Sequence, residues 1–194
     1  MDFKRLYSIF KAISPLTDED WQLLEPQLYV KKFRKGDFYL RADDTESQMG
    51  FIIQGSFRWY FVNPKGEEVN FHFFFENSFV VEYMGFLTLK PSQMHIEAME
   101  DCTLVMLPKR HKILELYEVS RNWERFGRIM AETTYVATAG RVQDFLFHSA
   151  EERYIALLRL HPDIFQRVSL ANISSYLGIK GPSLSRIRRR LSKG

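Results

Sequence analysis

The apolar residues of this chain change their spacing twice, and that change limits the possible folds more than any single motif. From Tyr29 to about Leu107 they recur at every second position. The segments Tyr29–Phe33, Phe38–Arg41, Gly50–Ile53, Phe57–Val62, Val69–Phe75, Ile96–Met99 and Thr103–Leu107 are short and rich in aromatic and β-branched residues. Turn signals separate them, namely Lys35-Gly36-Asp37, Gln54-Gly55-Ser56 and Asn63-Pro64-Lys65-Gly66. Seven or eight short strands so spaced predict a β-sandwich or jelly roll. Glu82–Leu89 reads as a short helical or irregular insert, closed by Lys90-Pro91-Ser92. The run Phe71–Phe75 reads as a strand buried on both faces, and with Trp59-Tyr60-Phe61 it could instead line an apolar pocket.

On either side of this block the spacing is helical. Phe3, Leu6, Ile9, Phe10 and Ile13 form one stripe. Thr17-Asp18-Glu19-Asp20 resembles an N-cap with an acidic first turn ahead of Trp21, Leu24 and Leu28. After Pro108, Ile113, Leu116 and Tyr117 mark a short helix. A long one is expected from about Ser120, its N-cap, to Phe147. Its seam of Phe126, Met130, Thr133, Ala137, Gly140 and Phe147 is close to heptad spacing and contains small residues. Such a seam suits a dimer contact, or else packing on the barrel. Residues 150–160 form another helix, and His161-Pro162-Asp163 turns the chain.

The last stretch reads as two short helices around a tight turn. Leu170, Ile173 and Leu177 repeat at helical spacing, as do Leu184, Ile187 and Leu191. Gly178 falls where a left-handed cap is wanted, and Pro182 suits a first helical turn. Helix, Gly-containing turn, helix is the helix-turn-helix pattern. After Asp163 the chain has no acidic residue, while seven basic ones follow. With Leu184, Ile187 and Leu191 turned inward, Arg186 and Arg189 point outward and Ser183, Ser185 and Arg190 flank them. A basic outer face with short hydroxyls suits phosphates and base edges. It also fits a solvated basic helix, or one that docks on an acidic protein.

Charge is unevenly placed. The formal net charge is +3, yet residues 149–194 hold nine basic and three acidic residues and the first 148 hold 18 and 21. That asymmetry predicts a basic module joined to a mildly acidic one. The single cysteine, Cys102, excludes an intrachain disulfide and any multi-cysteine zinc or iron–sulfur site. No apolar run reaches the ~20 residues of a membrane span, and the start has no signal-peptide pattern. A reducing, cytoplasmic setting is the expectation. His72, His95, His111, His148 and His161 show no metal-ligand spacing. A haem sensor would need an axial ligand, a role open to Cys102 or His95. Glu151 and Glu152 are adjacent on a helix and make a poor acid/base pair. No phosphate loop or nucleophile elbow is present, so no enzyme is expected and no metal or catalytic residue is assigned.

Taken in order, the residues resemble the Crp/Fnr superfamily of bacterial transcription regulators. The likeness is carried by Lys35-Gly36-Asp37; Phe51-Ile52-Ile53-Gln54-Gly55-Ser56-Phe57-Arg58; Gly66-Glu67-Glu68; and Ile96-Glu97-Ala98-Met99-Glu100. It continues through Glu151-Glu152-Arg153-Tyr154, Ile173-Ser174-Ser175-Tyr176-Leu177-Gly178-Ile179 and Leu184-Ser185-Arg186-Ile187-Arg188. The resemblance implies an α+β chain with a cyclic-nucleotide-binding-like β-roll sensor, a long dimerisation helix and a small all-α helix-turn-helix domain. Boundaries follow at 1–119, 120–148 and 149–194. It also implies a homodimer on palindromic double-stranded DNA, with half-sites about one helical turn apart, and RNA polymerase as a further partner.

Of the family's base-reading positions, Arg186 matches. The two residues that open the recognition helix, Gly181 and Pro182, depart from the pattern, and Lys180 replaces a Ser/Thr cap. DNA contact is therefore expected from Ser169, Lys180, Ser183, Ser185, Arg186, Arg189 and Arg190. In the sensor, Glu82 falls at the family's ribose-binding carboxylate, preceded by Val81 rather than Gly. Ser92 and Gln93 fall at its phosphate-binding Arg-Ser pair, and Thr138 matches a residue that reaches the ligand across the dimer. Without the guanidinium, cyclic AMP binding is not expected, and the pocket takes a different small molecule or none. From another class, the chain could be a small-molecule-binding β-roll whose basic tail docks on a protein.

Overall fold

The computed structural model describes residues 3–45 and 48–191. Eight strands form two antiparallel four-stranded sheets. One has the order β1 (Tyr29–Phe33), β8 (Cys102–Met106), β3 (Gly50–Gln54), β6 (Phe79–Val80). The other has the order β2 (Phe38–Leu40), β7 (His95–Ala98), β4 (Phe57–Val62), β5 (Glu68–Phe74). The space between the sheets is filled by Phe33, Leu40, Ile52, Phe57, Phe74, Val80, Ile96 and Leu104, one residue from each strand. Side chains alternate across a pleated strand, so the neighbours of these residues must face outward.

What covers those outward faces explains the apolar runs. Phe51 and Val105, next to Ile52 and Leu104, enter a second core made with helices on the outside of the first sheet. These are α1 (Lys4–Ile13), α2 (Asp18–Leu24), α3 (Tyr83–Thr88), α4 (Arg110–Val119) and the start of α5 (Arg121–Phe147). Phe10 sits at its centre, ringed by Trp21, Phe79, Trp123 and Phe126. Thr17 and Asp20 form a reciprocal capping box at the start of α2. Asp20 is buried and also accepts from Ser120 Oγ and, at 2.7 Å, from the Asn122 amide, which ties α2 to α5.

Phe73 and Phe75, on the outside of the second sheet, enter a third core with Tyr154, Leu157, Ile164, Val168, Ile173, Leu177, Leu184 and Ile187. These come from α6 (Ala150–Leu160), the short α7 (Ile164–Arg167), α8 (Leu170–Tyr176), α9 (Gly181–Leu191) and the adjoining turns. The run Phe71–Phe75 is thus buried on both faces only from Phe73 onward, since Phe71 is half-buried and His72 exposed.

One strand escapes the sequence pattern, and one expectation needs correction. The two-residue β6 pairs with Gly50 and Phe51 of β3 and is too short for any period to betray it. Phe126 does not lie on an outward seam. It is buried and stacks on Phe10 at 4.8 Å, because the first turns of α5 still lie against α1 and the core outside the first sheet. Met130 is likewise half-buried against that core.

Candidate nucleic-acid interface

The basic face predicted at the end of the chain is built from α8, α9 and the turn between them. Ser169 caps α8, its Oγ accepting from the Asn172 N–H at 3.2 Å. Gly178 adopts φ +68°, the left-handed conformation the sequence called for, and the Ile179 N–H returns to the Ser174 carbonyl at 3.0 Å. On α9, Leu184 and Ile187 are buried, while Ser185, Arg186, Arg188, Arg189 and Arg190 are exposed. Lys180 is exposed just ahead of the helix and Ser183 is half-buried. Five positive charges therefore lie within eleven consecutive residues, 180–190, behind which sits an apolar face.

Cations of this face have partners within the module. Arg186 Nε donates to the Pro182 carbonyl at 3.3 Å, Arg190 pairs with Glu151, and the Arg188 guanidinium lies 4.6 Å over the Phe165 ring. An exposed ion pair contributes little in water and exchanges readily for a phosphate.

The helix pair is held from behind by two arginines that sequence reasoning missed. Arg141 of α5 donates to the Tyr176 carbonyl and lies 3.7 Å over its ring. Arg153 of α6 donates to the Leu177 carbonyl at 2.9 Å. Both guanidiniums flank the Phe145 ring, at 4.4 and 4.7 Å. Cations at the last carbonyls of α8 complement its dipole and satisfy groups a helix end leaves unpaired. Arg141 is 8% exposed and burial pulls its pKa down. Arg153 lay within a motif already singled out, but nothing in the sequence marks Arg141.

The four sensor positions are spread between buried and exposed places. Glu82 is buried as the N-cap of α3, its carboxylate accepting from the Met84 and Gly85 N–H groups at 3.1 and 2.6 Å. Ser92 is buried and bonded to the Met94 N–H and carbonyl, whereas Gln93 and Thr138 are exposed. Between the sheets, the Trp59 ring stacks on Phe74 and meets Phe71 edge-on.

Past Met130, α5 projects an apolar face. Thr133 and Ala137 are exposed, a side chain at Gly140 would meet nothing within 4 Å, and Phe147 is 73% exposed. Tyr135, Val136, Val142 and Leu146 are exposed beside them. No helix among the described residues is long and apolar enough to cross a membrane. Nor, among them, do three His, Cys, Asp or Glu residues gather as metal ligands.

Residues 30–119, which hold all eight strands but the first residue of β1, match the cyclic nucleotide-binding domain family. The strand domain is thus similar to cyclic nucleotide-binding domains, and the chain as a whole has the fold seen in solved structures of Crp/Fnr-family transcriptional regulators. Among similar solved structures is FixK2 from Bradyrhizobium japonicum, with a TM-score of 0.69 at 19% identity over 86% of this chain and 85% of that one. The regulator CLP of Xanthomonas campestris, described as responsive to c-di-GMP, gives 0.66 at 14% identity over 91% and 92%. A protein from Eubacterium rectale ascribed to the Crp/Fnr family of transcriptional regulators gives 0.67 at 15% over 92% and 84%. No curated protein matches the chain in sequence.

Proposed function

We propose that this chain is a homodimeric, sequence-specific DNA-binding transcription regulator of Crp/Fnr type. The observation that carries the reading is the outer face of α9, where Ser185, Arg186, Arg189 and Arg190 stand exposed over buried Leu184 and Ile187. Arg186 is positioned to serve a guanine as a bidentate donor, with Ser185 beside it. Lys180, Ser183, Arg189 and Arg190 serve base edges or phosphates, and the Ser169 hydroxyl at the start of α8 serves a phosphate. The sensor comprises 1–119, the dimerisation helix 120–148 and the DNA-binding module 149–194.

The partner copy lies along the exposed face of α5 at Thr133, Ala137, Gly140 and Phe147. A two-fold axis there sets the operator as a palindrome, and RNA polymerase is the downstream partner. Cyclic AMP is not the effector. Ser92 and Gln93 supply no guanidinium for a cyclic phosphate, and Glu82 already serves two backbone donors of α3. A different small molecule reaching Glu82, Ser92, Gln93 and the partner's side of Thr138 would act by shifting α5. No catalytic role is proposed.

Selection of bound sequences from a random DNA pool, with wild type and Arg186→Ala side by side, tests the reading. A palindromic motif that blurs in the mutant is the expected result. Enrichment of nothing by either protein, with and without cell extract, overturns it.

A further inference from the structure

The first turn of α9 differs from the rest of that helix. Its hydrogen bonding opens at the Lys180 carbonyl, which accepts from the Ser183 N–H at 2.9 Å and the Leu184 N–H at 3.3 Å. Pro182 has no N–H to give, and here none is needed, because the first N–H groups of a helix have no partner within it. A Cβ added to Gly181 would meet nothing within 4 Å. The turn thus exposes one residue without a side chain and one whose side chain is wholly apolar.

Helical geometry puts that apolar ring on the outermost row. At about 100° per residue, Pro182, Arg186 and Arg189 fall within about 60° of one another, on the side away from buried Leu184 and Ile187. The wall that α9 turns toward the β4–β5 hairpin is made by Gly181, Leu184, Ser185 and Arg188. Pro182 and Arg186 take no part in it, so their row faces away from the hairpin. The Arg186 side chain leans back along this row. Its Nε donates to the Pro182 carbonyl at 3.3 Å, which leaves the two terminal nitrogens of the guanidinium to serve another acceptor. Arg188 and Arg190 turn elsewhere, to the Phe165 ring and to Glu151.

A fork of N–H groups suits the O6 and N7 of guanine, whereas the ring beside it has only carbon to offer. In the major groove one base feature is matched by carbon, the C5 methyl of thymine. Successive base pairs lie about 3.4 Å apart and a helical turn rises about 5.4 Å, so two groups within one turn reach neighbouring base pairs.

We infer that Pro182 is a second base-reading residue, its ring packing on the methyl of a thymine beside the guanine served by Arg186. The inference rests on the DNA-binding reading above and names part of the sequence selected: a G·C pair with a T·A pair close to it in each half-site. Such a contact uses no hydrogen bond and discriminates through the methyl group alone.

The test changes the DNA first, so the folding of a variant is not at issue. The full chain selects duplexes from a random 40-base-pair pool, and the preferred duplex is remade with deoxyuridine in place of each thymidine in turn. Each replacement removes one methyl and leaves base pairing intact. Wild type is expected to lose affinity about fourfold, the worth of one buried methyl, at one thymine per half-site. That thymine should lie within two base pairs of the guanine for which Arg186→Ala loses its preference. Pro182→Ser removes the ring and should bind the thymine and uracil duplexes alike while still selecting the guanine; Pro182→Ala repeats the comparison if Pro182→Ser does not fold. A loss that the variant shares equally with wild type comes from DNA shape and overturns the contact, as does a wild type indifferent to every methyl. Either result leaves the DNA reading intact. Enrichment of no sequence by wild type overturns the DNA reading, and the contact with it.

Discussion

Gly178 packs its backbone directly on the ring of Phe145: a Cβ built there would stand 2.7 Å from Phe145 Cε1. The residue joining the two helices of the candidate DNA-binding unit thus touches the end of the long helix. Its φ of +68° adds a second requirement for glycine. Gly178→Ala meets both the ring and a left-handed strain of about 1–2 kcal/mol. At 2–4 °C per kcal/mol for a chain of this size, melting should fall by roughly 3–8 °C. Adding Phe145→Leu should return the steric part and leave the strain, which a double-mutant cycle in calorimetry resolves. Equal melting of Gly178→Ala and wild type would show that the turn is not held as described.

The exposed stripe of α5 should govern assembly. Val136→Glu and Leu146→Glu place charges on positions two-thirds or more exposed in the monomer, so each should keep its helical content. Sedimentation should show a shift from dimer to monomer, because a buried unpaired carboxylate costs several kcal/mol at an interface. Dimers that persist in both variants would place the contact elsewhere.

Cys102 should be silent toward thiol reagents in the native state. Burial pushes its thiol up to about 11, and its Sγ lies 3.1 Å from the Glu100 carbonyl, a place for an S–H donor. The thiolate is the reactive form, so a disulfide-exchange reagent at pH 8 should label it only at the rate the chain unfolds, and immediately in urea. Rapid labelling of the folded chain would contradict the packing around Gly55 and Ser56.

Acid should act on Glu76. Burial pushes its carboxyl up, but Arg167 and the backbone N–H bonds outweigh burial and hold it below the ordinary 4.5. A carboxyl depressed in the folded state stabilises above its unfolded pKa and loses that contribution as pH falls through the folded value. The melting temperature of Glu76→Gln should therefore lie below that of wild type at pH 6–7, and the gap should narrow as pH falls below the ordinary 4.5 and close once it passes the lowered folded value. A gap that stays constant with pH would deny the ion pair.

The strands were readable because each alternates or carries a double-faced apolar run between Gly- or Pro-containing turns. Phe57–Val62 and Tyr29–Phe33 fall where the pattern put them. The caps at Thr17, Ser120 and Ser169 were equally legible, since a hydroxyl ahead of an apolar helix serves one purpose. The seam of α5 misled at Phe126 for a physical reason. One helical spacing serves first the chain's own core and then the outward face, and nothing local marks where the helix leaves the sensor. The contacts of Arg141 and Arg153 with the end of α8, and of Arg167 with Glu76 and Glu100, were invisible for another. Each joins residues far apart in the chain, and such pairing leaves no periodic trace.

Three adjacent phenylalanines carry a last consequence. Phe74 looks into the space between the sheets, while Phe73 and Phe75 look into the core of the helical module. One strand is the party wall of two rooms. Cutting the chain after α5 would leave two bare aromatic rings on the sensor, and the severed helices would lose the floor of their own core. A chain built with a shared wall has to be inherited whole.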